Sequence, residues 1–164
     1  MHRLYIALVD KYLLLENKNI EILQLNSGGG EIDPAFYMSD IIIDYGLDTN
    51  VIGSCESACT TLLLSGEKRT VQKGSWVGFH QSSWDAESMK SWYLYYKEDD
   101  GWEDEFAFAE WLYTDTQVYI FKNFQYLLER KVDPLFAIET MKAKSDDMWY
   151  PRRKELLAAN VITE

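Results

Sequence analysis

The sequence predicts an α/β fold with a mainly parallel sheet, and three features of its first half indicate this. Strand-like apolar segments alternate with helix-like segments between residues 20 and 80. Glycines and an Asp-Pro pair separate these segments, as they do at turns and helix starts. The order strand, helix, strand, helix, strand favours parallel pairing through right-handed crossovers.

Each element of this first half has its own signals. Residues 20–25 form an apolar strand that leads into a triple glycine. Asp33 and Pro34 then begin a helix, because Asp caps helix N-termini and Pro suits the first helical position. The helix ends at Gly46, and the side chains expected to be buried on it are Met38, Ile41, Ile42 and Tyr45. Further strands are expected at 49–53, 69–72 and 76–80, and a short apolar helix at 57–64.

The second half is expected to be helical, and 14 of the 24 aromatic residues lie between residues 84 and 126. Residues 103–130 form the longest predicted helix, with a buried stripe of Phe106, Ala109, Tyr113, Ile120, Phe124 and Leu127. Because aromatic side chains bury large areas, we expect this insertion, at about 84–130, to contact a second subunit or to cover the functional site. The candidates for the contact are Trp92, Tyr95, Tyr96, Trp102 and Trp111.

The C-terminal segment carries similar signals. Asp133 and Pro134 begin another helix, which is expected to bury Leu135, Ile138 and Met141. Pro151 begins a last short helix, and Asn160 takes the left-handed position after it. The 164 residues, 47% hydrophobic and 26% charged, suit a single domain over residues 1–164.

The chain is acidic, with a net charge of -11 and a pI of about 4.6. Such a surface repels phosphate backbones and anionic lipids, so no nucleic-acid partner is expected. No apolar run is long enough to span a membrane. Residues 1–10 lack the cleavage site of a signal peptide, which predicts a cytoplasmic protein. A chain truncated at its N-terminus would leave the periplasm open.

Cys55 and Cys59 are expected to be small buried thiols. Two cysteines do not make a disulfide framework. Their C-x3-C spacing, with no second pair nearby, does not fit a structural zinc site. The chemistry predicted from the motifs below requires no metal and no cofactor.

The stretch 26–30 is the first of three motifs, the others being 53–60 and 77–80. Its glycines lie between a strand and a helix, where backbone N–H groups can face a ligand or a developing oxyanion. A phosphate-binding loop does not fit, because no Gly-Lys-Ser/Thr follows and Glu31 would oppose phosphate. A tight turn alone would need fewer glycines.

Ser57 and His80 belong to the other two motifs. Ser57 lies where a strand meets a short helix, whose N-terminus favours negative charge, although a serine there can also be a plain N-cap. His80 ends an apolar strand at the carboxyl side of the sheet, where α/β sites lie. Apart from His2 it is the sole histidine of the chain, so a serine–histidine mechanism would use His80.

Taken together, Gly30, Ser57 and His80 follow one another at 27 and 23 residues. In this combination the stretch 22–80 resembles the proteolytic subunit of the Clp protease (ClpP), and more closely the ClpP-like predicted periplasmic bacterial proteins. LNSGGG is similar to the family's Asn-Ser-Pro-Gly-Gly turn, with Gly28 at the usual proline. GSCESACTTLLLSGEKR resembles the nucleophile helix, and VGFH the strand that delivers the histidine. The resemblance implies a ClpP/crotonase-like β-α-β superhelix.

The resemblance also implies a role for each residue. Ser57 matches the nucleophile and His80 the base, while the N–H groups of Gly30 and Ala58 match the oxyanion-hole donors. The family's acid is an aspartate before a final short helix. Asp147 matches it best, with Asp146 a close rival.

A serine peptidase acting through an acyl-enzyme is the predicted function, with an extended peptide or protein substrate beside Gly29 and Gly30. A non-peptide acyl hydrolase and a catalytically silent binding or assembly module on the same fold stay open. The resemblance implies a homo-oligomer and leaves an ATPase partner unknown. Because Asn26 comes early, the first strand of the fold is expected to be missing.

Overall fold

The computed structural model describes residues 20–164, in which strands and helices alternate before the chain becomes helical. The expectations about a signal peptide and a missing first strand concern residues 1–19, which lie outside this range. The elements in chain order are β1 (Ile22–Ser27), α1 (Ile32–Asp44), β2 (Asp48–Glu56), α2 (Cys59–Ser65), β3 (Arg69–Val71), β4 (Trp76–Gly78), α3 (Ala86–Tyr96), α4 (Glu105–Glu129), α5 (Pro134–Glu139) and α6 (Arg153–Ala158).

Strand β2 organises the sheet, because each of the other three strands pairs with it in parallel. Strand β1 pairs along most of the length of β2, while β3 pairs with Thr49–Val51 and β4 with Ser54–Glu56 of the same strand. The carboxyl ends of β1, β2 and β4 therefore meet at one edge of the sheet. This confirms the predicted fold class, and that edge is where α/β proteins bind ligands.

The main core lies where the sheet meets α2, the C-terminal end of α4, and the two last helices. Its fully buried apolar residues include Val51, Leu63, Val77, Ala137, Val161 and Ile162. Arg130, just after α4, donates hydrogen bonds to the carbonyls of Leu64, Ser65 and Gly66 at 2.8, 2.9 and 3.1 Å. These are carbonyls at the end of α2, which have no partner within the helix. The end of α4 is thus fastened to the end of α2.

Two local predictions at helix ends are confirmed. The Asp133 side chain accepts a hydrogen bond from the Phe136 N–H at 3.0 Å and caps α5, with Pro134 at its start. Asn160 has a φ of 55°, the left-handed conformation expected after the last helix. Both features follow from local chemistry, which is why sequence alone reveals them.

Several predicted burial patterns are wrong by part of a helical turn. Helix α1 begins before Asp33; Ile42 is buried as predicted, but the other buried residues are Ala35 and Ser39, and Tyr45 is exposed. In α5 the buried residues are Phe136 and Ala137, whereas Leu135 and Ile138 face outward. In each helix apolar residues occur on more than one face, and the tertiary contacts decide which face is covered.

The aromatic insertion has a small core of its own. Tyr93, Trp102 and Phe108 are buried together, with Trp111 and Tyr96 packed against them. The prediction of a buried stripe is wrong for the N-terminal half of α4, because Phe106 and Tyr113 are exposed. Trp102 and Trp111, which were predicted to contact a second subunit, instead pack within this small core. None of the helices within residues 20–164 is long and apolar enough to cross a bilayer.

Candidate active site

Four of the predicted site residues line one cavity at the carboxyl edge of the sheet. The cavity has a volume of about 250 Å³, and its walls include Gly30, Ser57, Ala58 and His80. The nucleophile, the base and both oxyanion donors expected from the sequence therefore face the same space. Within residues 20–164, no hydrogen bond joins the Ser57 hydroxyl to His80. Hydrogen bonds between catalytic groups are often long in an unliganded enzyme and shorten only when substrate binds.

Ser57 occupies a strained turn between β2 and α2. Its φ is 54°, a left-handed value that a residue with a side chain adopts at a cost of about 1–2 kcal/mol. The Ser57 N–H donates to the Gly78 carbonyl at 3.0 Å, and the Ser57 carbonyl accepts from the N–H and the hydroxyl of Thr60 at 2.9 and 2.7 Å. The N-cap of α2 is Ala58, so Ser57 does not serve as a plain helix cap.

The pairing of β2 with β4 brings His80 to Ser57. Glu56 lies opposite Gly78 in the parallel ladder, so the residues that follow each strand emerge side by side. The Nδ1 atom of His80 is buried and has no hydrogen-bond partner among residues 20–164. A buried polar atom without a partner is rare in proteins, and it indicates a position at which a partner is to be expected.

Asp147, the predicted acid, does not contact His80 in this structure. Its side chain is exposed and accepts a hydrogen bond from the N–H of Met148 at 2.7 Å. Asp147 and Asp146 are both absent from the cavity lining. The segment that carries them lies nearby, because Phe79 and Trp149 exchange two backbone hydrogen bonds of 2.9 Å. The predicted hydrogen bond is thus not formed, since the Asp147 carboxylate is turned to its own backbone.

The triple glycine packs directly onto the Ser57 turn. A methyl group added to Gly29 would lie 2.7 Å from both the Glu56 carbonyl oxygen and Ser57 Cβ. Gly29 also has a φ of 97°, so both its conformation and its surroundings require glycine. The N–H groups of Gly30 and Ala58 donate no hydrogen bond to any residue of the described part of the chain. They are available to a group in the cavity.

Cys55 and Cys59 form a disulfide, and the prediction of free thiols is wrong. The end of β2 and the start of α2 bring their Cα atoms to 5.2 Å, inside the range that a disulfide spans. Both residues are buried in the main core. The C-x3-C spacing does not predict this disulfide, because the bond depends on the sharp turn at Ser57.

Comparisons with known proteins bear on this arrangement only through its fold. No protein-family model matches the chain, and no curated protein matches it. Solved structures do resemble it, among them a ClpP1 mutant from Listeria monocytogenes. That match has a TM-score of 0.61 at 16% sequence identity, and it covers 100% of this chain and 84% of that chain. This protein has a ClpP-like fold.

Within this ClpP-like fold, helix α4 supplies a wall of the cavity that the sequence did not reveal. Tyr119, Asn123 and Tyr126 line it. Burial raises the pKa of Tyr126 to about 12, and its hydroxyl donates to the Thr61 carbonyl at 2.8 Å. Burial also raises the pKa of Tyr119. Both phenols are therefore neutral hydrogen-bonding groups at ordinary pH.

Within residues 20–164, the side chains that line the cavity include no carboxylate, lysine or arginine. No group of three or more His, Cys, Asp or Glu residues within 20–164 is arranged to hold a metal ion. The polar side chains of the lining residues are hydroxyls, the amide of Asn123 and the imidazole of His80, and the N–H groups of Gly30 and Ala58 belong to the same walls. This set can exchange a proton and bind an oxyanion.

Proposed function

We propose that this protein is a serine hydrolase, and most specifically a peptidase, with Ser57 as nucleophile and His80 as general base. One observation carries the proposal: Ser57, at a φ of 54°, faces a cavity that it shares with His80 and with two free backbone N–H groups. A turn in this conformation between strand and helix is how α/β-hydrolases present their nucleophile. Strain of this kind is concentrated at functional sites.

The proposed reaction begins when the Ser57 oxygen attacks the carbonyl carbon of the scissile bond and His80 accepts the hydroxyl proton. The oxyanion forms between the N–H groups of Gly30 and Ala58, where one donor is typically worth about 3 kcal/mol. Collapse expels the leaving group, which takes the proton from His80. Water then releases the acyl group from Ser57 by the same steps.

Asp147 is proposed to orient His80 in the working enzyme. His80, whose Nδ1 has no partner among the described residues, follows Phe79, and Phe79 is bridged to Trp149, two residues from Asp147. A rotation of the Asp147 side chain away from the Met148 N–H would free its carboxylate for the imidazole. Asp146 is the rival acid, because it lies in the same exposed turn.

The proposed substrate is an extended peptide bound beside Gly29 and Gly30, at the carboxyl end of β1. An extended chain can pair with such backbone as an added strand. The cavity would favour a neutral side chain, because its walls, as far as residues 20–164 form them, are rich in hydroxyls and carry no charge that would pair with an ionic one. A thioester or another acyl compound would use the same nucleophile.

The chain is also proposed to form a homo-oligomer through the aromatic insertion. Several of its large apolar side chains are exposed, among them Tyr95 at 73% and Phe106 at 82%. Clusters of such residues commonly mark protein contacts. The resemblance to ClpP points the same way, since the corresponding segment of that family builds subunit contacts.

Fluorophosphonate labelling followed by mass spectrometry tests the hydrolase proposal. The reagent should modify Ser57 in the wild-type protein and leave the Ser57→Ala variant unlabelled, with turnover of peptide substrates lowered by about 10⁶-fold. Ser54 is the internal control, because it lies on the same strand. Labelling of Ser54 in both proteins, or equal turnover, would contradict the assignment. A folded protein without any labelling would favour a silent binding module.

A further inference from the structure

The disulfide between Cys55 and Cys59 encloses the proposed nucleophile. Cys55 is the penultimate residue of β2, Cys59 is the first residue of α2, and Ser57 lies midway between them. The bond thus closes a ring of five residues, Cys55 to Cys59, across the turn at the cavity. Because Cys55 and Cys59 are the two cysteines of the sequence, no second disulfide connects this ring to another part of the chain.

A ring this small has little to offer the fold as a whole. A disulfide stabilises a protein globally by restricting the unfolded chain, and this effect grows with the number of residues enclosed. Cys55 and Cys59 are only four residues apart, so the loop they close in the unfolded chain is short and this effect is near its minimum. What the bond does restrict is the backbone of the three residues inside it, Glu56, Ser57 and Ala58.

Those residues are the ones whose backbone sets the geometry of the site. Ser57 takes a left-handed conformation that its side chain disfavours, and Ala58, whose N–H donates to no described residue, lines the cavity. Two other contacts fix the same peptide units: the bond from Ser57 N–H to the Gly78 carbonyl and the bonds from Thr60 to the Ser57 carbonyl. Both sulfur-bearing residues are buried in the core, at 0% and 2% exposure, and so anchor the ends of the ring.

We propose that the Cys55–Cys59 disulfide is a positioning element for the Ser57 nucleophile, so that the rate of acylation depends on its being oxidised. The inference rests on the proposed serine-hydrolase function. Cys55 and Cys59 are positioning residues, because neither lines the cavity. Without the bond, the turn can relax toward ordinary backbone angles, which moves both the Ser57 hydroxyl and the Ala58 N–H.

The test compares the oxidised and reduced wild-type protein with the double variant Cys55→Ala/Cys59→Ala. Dithiothreitol transfers two electrons and two protons to the disulfide, which becomes two thiols, while the reagent becomes its own cyclic disulfide. Because the disulfide is buried, dithiothreitol can fail to reach it. The double variant then provides the turn without the bond. Mass spectrometry of the peptide that contains residues 55–59, before and after alkylation, gives the oxidation state.

The readouts are the rate of fluorophosphonate labelling at Ser57, kcat and KM for a peptide substrate, and amide hydrogen exchange across residues 55–60. Opening the ring should slow labelling by about 10²-fold, as expected for a displacement of roughly 1 Å at a reacting group. Opening the ring should lower kcat by a larger factor than it changes KM. Amide hydrogen exchange should become faster at Ser57 and Ala58 and stay unchanged in α4. Reoxidation should restore the wild-type rate, and the double variant should not respond to dithiothreitol.

Equal labelling rates in the closed and open forms would overturn the proposal, as would free thiols in protein purified under air. A drop in thermal stability with unchanged labelling would also overturn it, because that is the signature of a merely structural bond. If no form is labelled, the hydrolase function fails, and hydrogen exchange alone decides whether the bond holds the turn. Unchanged exchange at Ser57 and Ala58 then refutes the positioning role.

Discussion

The sheet with the Ser57 turn and the aromatic insertion differ in how they reach their structure. In the sheet, β2 is paired on both sides, and its turn is fixed by a disulfide, by Gly78 and by Thr60. In the insertion, three buried aromatic residues form a minor core, while Phe106 and Tyr95 stay exposed. The first region is held by directional bonds, and the second mainly by non-directional contact between rings.

This difference matches the two proposed roles, catalysis at the Ser57 turn and assembly through the insertion. A nucleophile needs its atoms held to a fraction of an ångström, which hydrogen bonds and a covalent ring provide. A contact surface needs apolar area, which exposed aromatic residues provide with less demand on geometry. The C-terminal part of α4 joins the two regions, because it carries Tyr119 and Tyr126 into the cavity.

The largest expected effect tests whether the sheet region completes the site alone. Asp147→Asn should lower turnover by about 10⁴-fold, because an aspartate that supports the base typically contributes this much. Asp146→Asn, one position away in the same turn, is the matched control and should stay near the wild-type rate. Peptide turnover measured for both variants decides. The reverse pattern would move the acid to Asp146, and two active variants would leave a Ser57–His80 dyad.

Trp102 and Tyr95 test whether the insertion is independent of the site. Trp102→Ala should lower the free energy of unfolding by about 3–5 kcal/mol, because this side chain is 8% exposed and belongs to the minor core. Tyr95→Ala, at a 73% exposed position, should change the unfolding free energy of the monomer, measured at concentrations too low for assembly, by less than about 0.5 kcal/mol. Urea unfolding gives both values, and labelling at Ser57 should stay at the wild-type rate.

Light scattering on the same two proteins tests the contact. Tyr95→Ala should dissociate the oligomer at concentrations at which the wild-type protein stays assembled. A wild-type monomer at high micromolar concentration would refute the proposed assembly.

Gly29 and Gly74 provide a smaller test of how tightly the sheet region is built. Gly29→Ala should slow labelling at Ser57 by about 10²-fold, because the new methyl group would push on Ser57 Cβ and on the Glu56 carbonyl. Gly74→Ala is the control: its φ of 90° is similar, but nothing lies within 4 Å of an added methyl group. It should cost about 1–2 kcal/mol of stability and leave labelling unchanged. Equal labelling in the two variants would show that the close approach of Gly29 is dispensable.

The sequence predicted most of the sheet and the residues gathered at its edge. Apolar strands, glycine turns and the Asp133 cap depend on local chemistry, and Ser57 and His80 could be placed because parallel strands bring their ends together. The left-handed backbone of Ser57 could not be predicted, because serine has no preference for it. The Cys55–Cys59 bond follows from that backbone and was missed with it. Phe106 and Phe108 could not be told apart, because apolar residues surround the first turns of α4 and helix α3 decides which one is covered.

Arg130 has a consequence for engineering this chain. Its guanidinium joins the last turn after α4 to the final carbonyls of α2, the helix that begins beside Ser57. A shortened variant would therefore have to retain the last turns of α4, with Tyr126 and Arg130. The base of the insertion is thus part of the proposed hydrolase site, whereas α3 contributes no residue to the cavity walls that residues 20–164 form.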